Sequence, residues 1–196
     1  MAIFRPETTT SNFLGICQIN IKSFKDRADD FDWSDVFIDV TIKQKGSDYT
    51  RNIKLAGSFD KDHKGLITGG SVLKRMYTFF DAIGCKVGLN VKGEWEDAEG
   101  NIINNIEDYL NKEWIDPVQD DNNPDYIAYV YKEKPKKTGD KAWTRVYHKI
   151  YANKEENIAK LQDDVTWLKG KGVIKEVTDE PIANGATLEG SGLSNL

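Results

Sequence analysis

Hydrophobic and polar residues along the chain switch between two periods, and the switch points divide it into elements. From Phe13 to Phe24 (FLGICQINIKSF) aliphatic and polar residues mix at close to period two, which predicts a strand. Lys25 to Ser34 (KDRADDFDWS) is a polar loop that carries Phe31 and Trp33. Val36, Ile38, Val40 and Ile42 then alternate with Phe37, Asp39, Thr41 and Lys43, a strand with one face on a core. Gly46-Ser47-Asp48 supplies a turn, and Tyr49 to Ala56 returns as a strand, so 36–56 reads as a hairpin. The period then lengthens. Val72, Leu73, Met76, Phe79, Phe80 and Ile83 form one helical stripe, which Ser71 can cap and Gly84 can end. Residues 84–125 are acidic and loop-rich, with helical turns expected over 106–111. Tyr126–Glu133 (YIAYVYKE) and Ala142–Tyr151 (AWTRVYHKIY) read as two aromatic-rich strands around a basic loop, Lys134 to Lys141 (KPKKTGDK). Asn153 and Glu156 have capping-box spacing and open a last helix, with Ile158, Leu161, Val165 and Leu168 on one face and Gly170 at its end.

The order strand, strand, strand, helix, strand, strand is the connectivity of the five-stranded oligonucleotide-binding (OB) barrel. The expected class is therefore mainly β with helices: an OB-like barrel, a helix after its third strand and a C-terminal helix. Other small barrels and α+β sandwiches produce a similar string. The 196 residues divide as an N-terminal arm (1–12), the barrel domain (13–152, with an acidic insertion at 84–125), a helix (153–172) and a flexible tail (173–196). No apolar run approaches the ~20 residues of a membrane span, and the N-terminus lacks the basic-then-apolar order of a signal peptide. With only Cys17 and Cys85, far apart, the expected home is a reducing cytoplasm.

The net charge of −5 argues against a nucleic-acid binder until its distribution is considered. From Lys132 to Lys149 seven cations face two acids, a local +5, whereas Glu94 to Asp125 holds eleven acids and one cation, a local −10. Exposed charges are screened beyond ~10 Å, so local sign outweighs the total. Catalytic patterns fail one by one. No GxxxxGK[ST] loop or HExxH occurs, and His63 and His148 are the only histidines. The stretch Asp97–Gly100 cannot be a calcium loop, because the first ligand position would fall on Trp95. Asp116, Asp120, Asp121 and Asp125 could bind Mg²⁺, but the Glu-x-Lys of a nuclease does not follow. No enzyme, cofactor or metal is expected.

The last strand is the most informative segment. If it is continuous, Trp143, Arg145, Tyr147, Lys149 and Tyr151 share one face. Rings interleaved with cations suit a single-stranded nucleic acid, whose bases stack while its phosphates meet the charges. The alternative turns the rings inward to fill the barrel, which would bury Arg145 and Lys149 with them, at a cost of several kcal/mol if unpaired (~3–5 kcal/mol). Lys134, Lys136, Lys137 and Lys141 on the adjoining loop extend the basic surface. In an OB barrel this loop and the one between the first two strands wall the groove. The latter carries Trp33; Tyr49 and Arg51 on the third strand complete the candidate set.

Several segments, none of them a mechanistic motif, give the chain a likeness: the strand 13–24, the 36–56 hairpin, GSFDK at 57–61, GGSVLKRMYTFFDAIG at 69–84, NIEDYLN at 105–111 and the aromatic hairpin. Over residues 13–152 the chain resembles the single-stranded DNA-binding proteins of tailed bacteriophages, especially marine phages. The resemblance implies an OB-fold protein that coats unwound DNA during phage replication and recombination, without catalysis, in the cytoplasm of the host. Replication or recombination proteins would be its further partners. Many such proteins end in an acidic tail tipped by an aromatic residue. This sequence ends Leu193-Ser194-Asn195-Leu196, with Glu176, Asp179, Glu180 and Glu189 spread thinly, so recruitment through such a tail has no motif to carry it. The rival expectation is a phage structural or assembly module that docks other proteins, with the 94–125 segment as its surface.

Overall fold

A computed structural model of the protein describes residues 14–115, 118–137 and 140–177. Strands β1 (Gly15–Asp26), β2 (Val36–Gln44) and β3 (Thr50–Gly57) form an antiparallel meander. β1 serves two neighbours. Its first half, Gly15–Ile19, pairs with β8 (Tyr126–Glu133), and Ile19–Asp26 pairs with β2, with a register shift between Ile21 and Ser23. Such a bulge bends and twists a strand. β2 is buried on both faces over Val36–Val40, not on one as its alternation predicts. Phe37 is only 4% exposed because Phe31, from the preceding loop, stacks on its ring.

Two short hairpins flank helix α1 (Ser71–Ala82): β4 (Asp60–Lys61) with β5 (Ile67–Gly69), and β6 (Gly88–Leu89) with β7 (Trp95–Glu96). The helix buries Val72, Met76, Phe79 and Phe80. It approaches the end of β3 so closely that a Cβ on Gly57 would lie 3.0 Å from that of Val72. The N-cap is Gly70; Ser71 is already helical and does not cap. The acidic segment is more ordered than its loop-rich sequence suggests, because its carboxylates serve as turn acceptors. Asp97 accepts the backbone N–H groups of Glu99 and Asn101, at a turn where Gly100 has φ 84°. Helix α2 (Ile106–Glu113) is capped by Asn105, which accepts from the Asp108 N–H. The Asn111 amide accepts from the N–H of Phe24 and donates to its carbonyl, tying α2 to β1.

The predicted strand 142–151 is broken. β9 (Trp143–Val146) and β10 (Tyr151–Ala152) both pair with β8. Val146 lies opposite Val130 and Tyr151 opposite Ile127, so five steps of the partner face three of β8. Tyr147 still donates its N–H to the Tyr129 carbonyl, after which the surplus chain at 148–150 leaves the ladder and drives Ile150, 1% exposed, into the core. The side chains from Trp143 to Tyr151 therefore do not share one face.

Helix α3 (Glu155–Gly170) buries Asn157, Leu161, Val165 and Leu168. Ile158, expected on that stripe, is 41% exposed. The anticipated capping box is absent as well. The N-cap is Lys154, while the Asn153 amide donates to the carbonyl of Pro124. Beyond the helix, Ile174 is buried, Lys134 donates its N–H to the Lys175 carbonyl and Val177 donates to that of Lys132. The start of the expected tail is thus fastened along the end of β8. Residues 178–196 and the arm at 1–12 lie outside the described residues.

One antiparallel sheet results, ordered β10-β8-β1-β2-β3 with β9 also on β8. It is not closed into the expected barrel: β9 ends after four residues, all paired with β8, and no ladder joins it to β3. The main core fills the space between the sheet, α1 and α2. A second core joins Ile127, Tyr129 and Tyr131 of β8 to Leu161, Val165 and Leu168 of α3. Among the described residues no helix is long and apolar enough to cross a membrane.

Candidate nucleic-acid interface

The β8–β9 hairpin brings five of the sequence candidates together. Lys134, Lys136, Lys141, Trp143 and Arg145 line one open groove of ≈ 490 Å³, with Glu133, Pro135 and Asp140. Pro135 has no N–H to extend the ladder, and the Lys134 N–H is taken by Lys175, so the chain leaves β8 here and projects its lysines. Trp143, opposite Glu133 at the start of β9, is 67% exposed. Arg145 donates from Nε to Glu133 Oε2 at 2.9 Å, leaving the rest of its guanidinium fork. Among the described residues, Lys134, Lys136 and Lys141 form no ion pair, and Lys137 is exposed on the same loop.

A second groove runs along the open seam between β3 and β9. Asn52 and Lys54 stand on one side, Tyr131, Arg145 and Tyr147 on the other, and Arg75 from α1 at the end. Arg145 and Glu133 line both grooves, which therefore adjoin. Arg75 is steadied by a 2.8 Å bond from Nη2 to the Ala56 carbonyl. His148 contributes no charge there at neutral pH: burial, with Arg75 and Lys149 nearby, lowers its pKa to about 4. Lys54, Asn52 and Arg75 were not among the sequence candidates. The first two were readable as the polar row of β3, alternating with buried Ile53 and Leu55; no pattern pointed to Arg75.

The other candidates lie elsewhere. Tyr151 donates its hydroxyl to Asp164 of α3 at 2.5 Å, and Lys149 reaches the same oxygen at 2.6 Å. Burial works against the Lys149 ammonium, but its bonds to Asp164 and Tyr151 outweigh this and raise its pKa. Both side chains are engaged in holding α3. Trp33, 58% exposed, joins Phe31 and Phe37 in an aromatic cluster beside Arg27. Lys54 lies 5.7 Å from the Phe37 ring and links this cluster to the seam. Tyr49 is 79% exposed at the β2–β3 turn, and Arg51, opposite Ile42 on the core-side row, donates to Gln44. Neither lines the grooves.

The acidic loop has a different task from the metal site considered above. Asp121 accepts from Lys22 and from Lys43, both at 2.7 Å, and folds the loop onto β1 and β2. These bonds, with one from Asn20, hold its carboxyl well below the usual carboxylate range. Asp116 lies outside the described residues; among those described, no three His, Cys, Asp or Glu side chains are grouped to hold a metal ion. Comparison with family models, with curated proteins and with solved structures finds no match to this chain.

Proposed function

We propose that the protein is a non-catalytic single-stranded DNA-binding protein that coats unwound DNA during phage replication and recombination, in the host-cell cytoplasm. The observation that carries this reading is the exposed Trp143 ring among unpaired lysines, in a groove that adjoins the one along the β3–β9 seam. Bases would stack on the indole while Lys134, Lys136, Lys141, Lys54 and Arg75 meet phosphates. Stacking of this kind has little sequence preference, because every base has a π-face. The strand connectivity also fits an opened OB-like arrangement. A long bent β1 is shared by β2 and β8, an α-helix follows the meander after the short β4–β5 hairpin, and β3 and β9 face each other across the seam. The phage setting rests on the sequence resemblance over residues 13–152.

A fluorescence titration with oligo-dT at several salt concentrations tests the proposal. With five cations meeting phosphates at about 0.7 each, log K should fall against log salt with a slope of roughly −3.5. Tryptophan emission should be quenched as the complex forms. Absence of binding at low salt would remove the proposal and leave a protein-docking module in its place.

A further inference from the structure

Beyond Tyr147 the surface does not end. Arg75, Tyr147, His148 and Val173, which line the seam, also line a cleft of ≈ 570 Å³ between α1 and α3. On its α3 side stands Trp167. The neighbouring Leu168 is on the buried stripe, and one residue turns a helix by about 100°, so the indole is left 60% exposed. Lys171, one turn further on, holds its ammonium 6.0 Å from the ring centroid. Lys74 and Arg75 line the same cleft from α1, and among the described residues neither is paired with a carboxylate. The acid in the lining, Asp164, is already bound by Lys149 and Tyr151. An exposed indole among uncompensated cations repeats the chemistry around Trp143 at the far end of a row of adjoining grooves.

We infer that this cleft is a second base-stacking subsite, with Trp167 as its platform and Lys74 and Arg75 as its phosphate contacts, so that one DNA strand runs from the 134–141 loop over the seam to α3. The inference rests on the DNA-binding proposal above and extends the site along the molecule. A polyanion is the occupant the charges favour. An apolar segment of a protein partner would use the indole but leave the cations without a counterpart.

The test compares the full chain with its Trp167→Ala, Trp167→Phe and Lys74→Ala variants, using oligo-dT of about 6 and about 16 nucleotides, the span of site sizes seen for one OB unit. A short oligonucleotide engages the groove around Trp143, whereas a long one reaches α3. Trp167→Ala should weaken binding of the long oligonucleotide about tenfold, within the range for loss of one stacked base, and change the short one little. Trp167→Phe should retain most of the affinity. Lys74→Ala should make the salt slope for the long oligonucleotide shallower by about 0.7. If Trp167→Ala binds both lengths like the parent while Trp143→Ala binds both weakly, the path stops before α3 and the inference falls, with the proposed function intact. If the unaltered chain binds neither length, the proposed function falls and takes this inference with it.

Discussion

β8 and β9 are the two arms of one hairpin, both rich in aromatic residues, yet their rings have opposite fates. On β8, Tyr129 and Tyr131 are at most 9% exposed, although Tyr131 borders the seam; on β9, Trp143 is 67% exposed. Composition does not separate them, but position in the sheet does. β8 is flanked by β1 on one side and by β9 and β10 on the other, and α3 covers the face that bears its tyrosines. β9 is a four-residue edge strand, and its outward row, Trp143 and Arg145, meets no covering element and faces the grooves. Burial on both faces makes an aromatic strand a structural spine, and an uncovered edge leaves the same chemistry facing solvent.

The largest effect should come from breaking the covered arm. Leu161 is fully buried between α3 and β8, so Leu161→Ala should cost about 2–5 kcal/mol of stability, as lost transfer energy plus an unfilled cavity. Urea unfolding would measure it. Trp143→Ala in the same assay should stay within about 0.5 kcal/mol of the parent, as for an exposed site without special contacts. Equal destabilisation by the two substitutions would show that both rings belong to the fold, and the contrast would be lost.

The binding counterpart is next in size. Trp143→Ala should weaken oligo-dT binding by about 1–3 kcal/mol, the range for one base–aromatic stack, with the melting temperature unchanged. Tyr129→Phe, which keeps the buried ring but removes the hydroxyl bonded to Glu176, should leave DNA affinity unaltered. Weakened binding by the β8 variant would mean that the groove reads both arms.

What could be read in the sequence follows the same division. The β1–β2–β3 meander, α1 and β8 were legible because their patterns report local geometry: period two at Val36–Ile42, a helical stripe from Val72 to Ile83. The break at 148–150 was not, because Ala142–Tyr151 alternates acceptably as one strand. What interrupts it is the attachment of Ile150 to the main core and of Tyr151 and Lys149 to Asp164, contacts between distant segments. The ring of Trp143 and the loop lysines were legible as an exposed basic surface, since charges at Arg145 and Lys141 resist burial. The seam residues Lys54 and Arg75 come together only because β9 stops short of β3. The shift of the α3 stripe from Ile158 to Asn157 likewise depends on the bond from Asn157 to the Ala152 carbonyl, which no periodicity encodes.

Asp164 is where the two kinds of region meet. It joins Tyr151 and Lys149 at the end of the broken strand to the helix that covers β8. Asp164→Asn weakens both contacts at a site about one-third exposed, so a stability loss of about 1 kcal/mol is expected, typical of a partly solvated hydrogen-bonded pair. If Lys149 and Tyr151 serve only the docking of α3, short-oligonucleotide affinity should rise slightly with the removed charge. A large rise would mean that the freed Lys149 ammonium meets phosphate, and would place it in the binding surface after all.

The smallest effect separates engaged cations from free ones. Lys22 and Lys43 are both paired with Asp121, whereas Lys134, Lys136 and Lys141 have no such partner among the described residues. Bonds from Lys22, Lys43 and Asn20 favour the ionised Asp121 in the folded protein, so its folded pKa lies below the unfolded one. The stabilisation is therefore fully present above the ordinary carboxylate pKa of about 3.9 and declines as the pH falls below it. Asp121→Asn should melt slightly below the parent at pH 7, and the gap should close on acidification below about pH 4. Added salt should narrow the same gap at neutral pH, because the pairs are partly exposed. A gap that is constant with both pH and salt would mean that Asp121 holds its loop by shape and hydrogen bonding rather than charge, and the lysines on β1 and β2 would then count as free as those of the 134–141 loop.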